Sequence, residues 1–94
     1  MKQRAIIIGS GIGGLSTACL LAKDGYEVHV FEKNEQLGGR LSVLKKDGFT
    51  FDMGPSWYLM PDIFEHFFAL MGERVETYLD LKHLAPSYRI FFKD

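Results

Sequence analysis

The sequence has a single cysteine, Cys19, so no internal disulfide can hold it together, and a reducing compartment suits it. It has no surplus of charge either. Eleven basic and twelve acidic residues leave a net of -1, and no long basic run marks nucleic acid or anionic lipid as a partner. No apolar run approaches the ~20 residues of a spanning helix. The basic start "MKQRAIIIG" is stopped by Gly9 before the ~7–15 apolar residues of a secretory signal can accumulate. Length is also short. Ninety-four residues make one domain at most, which is too little for a large cofactor site and a separate substrate domain. The expected location is the cytosol, with the cytosolic face of a membrane as the second placement.

Apolar residues, by contrast, are plentiful: 47% of the chain, with eight Phe. Ala5 to Ile8 is a β-branched, continuous apolar run, the pattern of a parallel strand covered on both faces. After it, Leu15, Ala18, Cys19 and Ala22 recur at the spacing of a helix stripe, which puts Cys19 among the buried residues as a small hydrophobe. Lys23 and Gly25 supply the stop, and Tyr26 to Phe31 reads as a second strand. Strand, helix and strand with a tight return form a right-handed βαβ unit.

Farther on, Leu41 to Lys46 and Phe49 to Met53 read as a β-hairpin around Asp47-Gly48. Pro61 opens a helix carrying Ile63, Phe64, Phe67, Phe68, Leu70 and Met71, and Gly72 closes it. The Phe64, Phe67, Phe68 and Met71 face reads as core rather than as channel lining or a membrane-resting surface. Leu79 to Leu84 and Tyr88 to Phe92 are expected as two further strands around Pro86-Ser87. His29, His66 and His83 stand on separate elements without ligand spacing, so no metal site is expected. No nucleophile–base arrangement is visible, and no catalytic residue is assigned.

The chemistry concentrates in "IIIGSGIGGLSTA". Gly9, Gly11 and Gly14 follow a strand at G-x-G-x-x-G spacing and open a helix. Gly9 lets the chain turn off the strand, Gly11 lets a pyrophosphate approach the backbone, and Gly14 lets helix and strand pack closely. The unpaired amides of the first helical turn and the positive dipole end point at the phosphates. Ser10 and Gly13 lie within the same turn and join these glycines as candidate cofactor contacts. A ligand-free glycine turn is the competing reading. The flanking strand and helix count against it, as does Glu32 at the end of the second strand, near the ~20-residue separation where a ribose-binding acid is expected. The charge of Glu32 argues against a 2′-phosphate, while neighbouring Lys33 would soften that repulsion.

Up to Glu32 the chain suits NAD or FAD equally. The next segment, "EKNEQLGGRLSV", resembles the FAD-binding oxidoreductases that include amine oxidases, protoporphyrinogen oxidases and carotenoid desaturases. The resemblance implies that Gly38 and Gly39 bring backbone beside the dinucleotide and that Arg40 holds pyrophosphate through its planar fork of donors. "FDMGPSWYLMPDIFEHFF" and the closing "HLAPSYRIFFKD" narrow the likeness to bacterial-type phytoene desaturases and their diapophytoene relatives. By the same resemblance Gly54, Pro55 and Ser56 pass near the flavin.

The implied fold is α/β: a Rossmann-like FAD-binding βαβ unit with a hairpin, an added helix and an incomplete sheet. Residues 1–94 would be the N-terminal part of an FAD/NAD(P)-binding domain, lacking the substrate domain and the remaining strands. The implied reaction desaturates a carotenoid precursor such as phytoene. Hydride passes to flavin N5, a proton leaves the adjacent carbon, and oxygen or a membrane quinone takes the electrons. The expected partners are FAD, a polyene or isoprenoid substrate of the full-length enzyme, a peripheral membrane contact, and a second copy through an exposed sheet edge. A chain this short is expected to be a fragment without turnover. The rivals are another enzyme on the same scaffold, such as an amine oxidase or retinol-saturase-like protein, and a non-catalytic nucleotide-binding or assembly module.

Overall fold

The computed structural model describes residues 1–93; Asp94, the last residue of the expected 1–94 domain, lies outside them. Strand β1 (Arg4–Ile8) leads into helix α1 (Ile12–Lys23), which crosses over to strand β2 (Glu27–Phe31). The two strands pair in parallel, with Arg4 opposite Glu27 and Ile8 opposite Phe31. Helix α1 ends as its sequence indicates. Gly25 takes φ +92°, and the Tyr26 N–H reaches back to the Leu21 carbonyl at 3.1 Å, the pattern of a glycine-terminated helix. This turn delivers the chain straight into β2.

Strands β3 (Val43–Lys46) and β4 (Phe49–Asp52) form an antiparallel hairpin. Its turn places Asp47 at φ 51° and Gly48 at φ 82°, the two left-handed positions of a tight hairpin. Helix α2 (Pro61–Leu70) follows, with Pro in its first turn and Gly72 at φ 76° beyond its end. Its Phe64, Phe67, Phe68 and Met71 are half-buried. Phe64 packs on Tyr58 at 4.8 Å between ring centroids and Phe68 on Tyr78 at 5.4 Å, so the aromatic stripe faces inward. Lys23 ties the end of α1 to the Leu70 carbonyl of α2.

Two expectations are corrected. Residues 79–84 and 88–92 are not strands; beyond a single 3-10 turn at Val75–Thr77 the described chain is irregular. Their apolar spacing suits a strand, but among the described residues no edge pairs with them, and a strand without a partner leaves its backbone groups to water. The tail is instead fixed by Tyr88, which stacks on Trp57 at 5.4 Å and 11°. Cys19 is exposed rather than buried. Helix α1 lies over a sheet only two strands wide, so Ala18 is buried while its neighbour on the stripe overhangs.

That narrow sheet has a second consequence. Ala5, Ile7 and Val28 face α1 and are half-buried, whereas Ile6 and Ile8 on the opposite face are 62% and 88% exposed. The accessible surface is 8693 Å², against roughly 5500 Å² for a folded monomer of this size. The radius of gyration is 17.4 Å, where about 12 Å is usual. The fold is a mixed α/β arrangement with an incomplete sheet.

Candidate functional site: a dinucleotide-binding turn

The site is built where β1, α1 and β2 meet. Gly9 turns off β1 at φ +98°, and its N–H donates to the Phe31 carbonyl at 2.7 Å, holding the turn against the end of β2. Gly11 is the N-cap of α1, and no side chain caps the helix. The Leu15 N–H is the first to find a helical carbonyl, that of Gly11 at 2.9 Å. The amides of Ile12, Gly13 and Gly14 therefore have no helical acceptor and face outward as an anion-binding mouth.

The residues present fit a dinucleotide. A Cβ added at Gly9, Gly11 or Gly13 would meet nothing within 4 Å, so the surface over the turn is open to a ligand. Gly14 does a different job. Its Cβ would stand 2.1 Å from the Gly9 carbonyl oxygen, a clash that only a glycine avoids.

Glu32 sits just past β2 and its carboxylate is tightly held. Oε1 accepts from the Ser10 N–H at 3.0 Å and the Ser10 hydroxyl at 2.6 Å, and Oε2 accepts from the Asn34 N–H at 3.0 Å. These bonds lower its pKa from 4.5 to about 2: the Ser10 hydroxyl contributes most, then the Asn34 and Ser10 backbone donors, with Lys33 adding a little against the opposing pull of burial. Glu32 is thus an ionised acceptor beside the glycine turn at neutral pH, of the kind that suits sugar hydroxyls and repels a 2′-phosphate. The Lys33 side chain is exposed.

The Gly38-Gly39-Arg40 segment comes to the same place. The Gly38 N–H donates to the Ser10 carbonyl at 2.8 Å, Gly11 and Gly38 form an isolated parallel bridge, and a Cβ at Gly39 would lie 3.2 Å from the Gly11 Cα. Gly38 and Gly39 take φ 105° and 61°, which is why both are glycine. Arg40 follows on a single 3-10 turn, Gly39–Leu41, exposed and, among the described residues, without an acidic partner. Gly54 abuts this turn: its Cβ would lie 2.7 Å from the Arg40 carbonyl oxygen. Pro55 and Ser56 are exposed in the bend beyond β4 and make no hydrogen bond with the glycine turn.

The structure therefore gathers Gly9, Gly11, Gly13, Gly14, Glu32, Gly38 and Gly39 around one turn, with Arg40 and Gly54 at its rim; Ser10, expected as a cofactor contact, lies buried beneath them with its polar groups spent on Glu32 and Gly38. Sequence reasoning missed the grip of Ser10 and Asn34 on Glu32. The Ser10 contact spans 22 residues, and no local pattern reports it. A separate cleft of about 480 Å³ is lined by Glu65, Glu76 and Asp80, whose charges repel phosphate.

Comparison with known proteins agrees with this geometry. Residues 7–74 match the family described as NAD(P)-binding Rossmann-like domain. The chain is 65% identical over 88 residues to a carotenoid 3,4-desaturase from Haloarcula japonica, covering 94% of this chain and 18% of that protein. It is 47% identical over 92 residues to a zeta-carotene-forming phytoene desaturase from Myxococcus xanthus, covering 98% of this chain and 18% of that protein. The crystal structure of an oxidoreductase from Methanosarcina mazei shares 41% identity at a TM-score of 0.52, covering 57% of this chain and 13% of that one. The chain thus spans about a fifth of the length of the curated relatives it matches. It belongs to the NAD(P)-binding Rossmann-like domain family, and the proteins it is similar to across nearly its whole length are carotenoid and phytoene desaturases.

Proposed function

We propose that this chain is the FAD-binding segment of a flavin-dependent desaturase acting on a carotenoid precursor such as phytoene. The observation that carries the choice of FAD is the seating of Gly38 and Gly39 on the glycine turn. There the second glycine pair extends the bare backbone surface past the helix mouth, and Arg40 adds a guanidinium at its edge. A dinucleotide whose pyrophosphate lies on the α1 amides has its ribose beside Glu32 and its second half along this segment. Bound there, FAD supplies the hydride acceptor, flavin N5.

What the chain's own residues do is bind and orient. The α1 amides neutralise phosphate charge, Glu32 accepts from the ribose hydroxyls, and the glycines admit the ligand to backbone distance. The substrate path and the groups that move a proton belong to the further length that the relatives possess. Residues 1–94 are, on this reading, the N-terminal part of an FAD-binding domain and do not turn over alone. The exposed second face of the sheet supports that reading, because Ile6, Ile8 and Phe31 are 62%, 88% and 58% exposed, as befits residues awaiting a covering layer.

The test is titration with FAD, followed by quenching of flavin fluorescence, for the parent, Glu32→Ala and Arg40→Ala. Losing hydrogen bonds to a charged group weakens binding roughly ten- to hundredfold, and that loss is expected for both variants. Parent-like affinity in both would end the assignment. Tight binding of NADH in place of FAD would move it to a nicotinamide enzyme.

A further inference from the structure

Ser10 is completely buried, with 0% of its surface exposed, although it occupies the middle of a turn that faces ligand. All of its polar groups are spent within the protein. Its N–H and hydroxyl converge on Oε1 of Glu32 at 3.0 and 2.6 Å, and its carbonyl accepts the Gly38 N–H at 2.8 Å. One residue thereby joins the acid of β2 to the second glycine pair. We infer that Ser10 is a positioning residue that never touches the dinucleotide: it fixes the Glu32 carboxylate through Oε1 and leaves Oε2 to the ribose hydroxyls.

The stereochemistry supports this division. A carboxylate oxygen has two lone pairs, and both on Oε1 are taken by Ser10. Oε2 accepts from the Asn34 N–H alone among hydrogen bonds of normal geometry in the described residues, so it retains an acceptor site. Glu32 is otherwise a long, flexible side chain that a ligand would have to order on binding. A hydroxyl at 2.6 Å to a carboxylate is a charge-assisted bond, and it orders the side chain in advance. The inference rests on the proposed dinucleotide role of Glu32.

The experiment combines Ser10→Ala, Ser10→Cys, Glu32→Ala and the double variant Ser10→Ala/Glu32→Ala. FAD affinity is measured for each, together with a ¹³C NMR titration of the Glu32 carboxyl without ligand. Removing the hydroxyl is expected to weaken FAD binding roughly tenfold, and Ser10→Cys, whose thiol fills the space but donates weakly, to behave alike. The carboxyl should titrate higher, toward its ordinary value, in both. In the Glu32→Ala background Ser10→Ala should cost no further affinity. An equal loss in both backgrounds marks Ser10 as mere packing and overturns the inference, as does unchanged affinity in Ser10→Ala. If the parent fails to bind FAD the positioning role falls too. A titration that still moves on losing the hydroxyl then blames the dinucleotide reading; one that does not blames the contact itself.

Discussion

A Cβ carried by residue 14 would stand 2.1 Å from the carbonyl oxygen of Gly9 and 3.2 Å from its carbonyl carbon. Helix α1 can approach the end of β1 only because Gly14 has no side chain. Gly11, three residues earlier, has nothing within 4 Å of its own Cβ position and a φ of −70° that any residue adopts. Gly14 therefore serves packing, whereas Gly11 carries the proposed ligand role, and alanine separates the two. Gly14→Ala is expected to destabilise by about 1–3 kcal/mol, the usual cost of overpacking, read as a fall in urea midpoint. Gly11→Ala should change stability by no more than about 1 kcal/mol, yet weaken dinucleotide binding by filling the open space over the turn.

The lowered pKa of Glu32 sets an acid dependence. Its value is about 2 in the folded chain against 4.5 ordinarily, so its contribution to stability is complete above pH 4.5. That contribution is lost as pH falls from 4.5 toward 2, where the folded state must also take up the proton. Other carboxylates titrate in the same range, so the informative quantity is a difference. Thermal midpoints of the parent and of Glu32→Gln are expected to stand furthest apart near pH 6 and to converge below pH 3. A gap that stays constant across that range would contradict the hydrogen-bonded carboxylate.

Much of this was legible in the sequence because the signals are local. Ala5 to Ile8, the glycine spacing and the Lys23/Gly25 stop specify strand, turn and helix within a few residues of each other. Asp47-Gly48 and Pro61 with Gly72 punctuate the hairpin and α2 in the same way, and both occupy the backbone conformations their chemistry favours. What failed depended on distant partners. Residues 79–84 and 88–92 are apolar-rich stretches on either side of Pro86-Ser87, but such a stretch makes a strand only where an edge receives it, and none among the described residues does. Cys19 has the right helical period, but burial depends on how wide a sheet lies beneath. The Ser10–Glu32 contact joins side chains 22 residues apart, which periodicity does not encode.

Bare apolar surface predicts association. Both outer edges of the β1–β2 pair are unpaired among the described residues, and Ile8 and Phe31 are 88% and 58% exposed. Unpaired edges flanked by apolar side chains join readily to another copy. Sedimentation velocity is expected to show concentration-dependent self-association of the isolated chain. Ile8→Lys should shift it toward monomer at little cost to folding, within about 0.5 kcal/mol for so exposed a position. A parent chain that stays monomeric and melts cooperatively would refute the expectation.

Gly54 offers a test of how Arg40 is held. A Cβ at Gly54 would lie 2.7 Å from the Arg40 carbonyl oxygen and 3.0 and 3.3 Å from the Cδ2 and Cα of Leu41. Leu41 Cδ2 can swing aside, but the Arg40 carbonyl is backbone and can yield only if the 3-10 turn carrying the guanidinium moves. The β1–α1–β2 unit shares none of these atoms. Gly54→Ala is therefore expected to leave the stability of that unit nearly unchanged while weakening FAD binding through a displaced Arg40. In an Arg40→Ala background the same substitution should cost no further affinity, since contacting residues that act through one group are non-additive. Isothermal titration of the four proteins in that cycle decides it: additive losses would mean that Gly54 meets the ligand on its own account, and that Arg40 is positioned by something else.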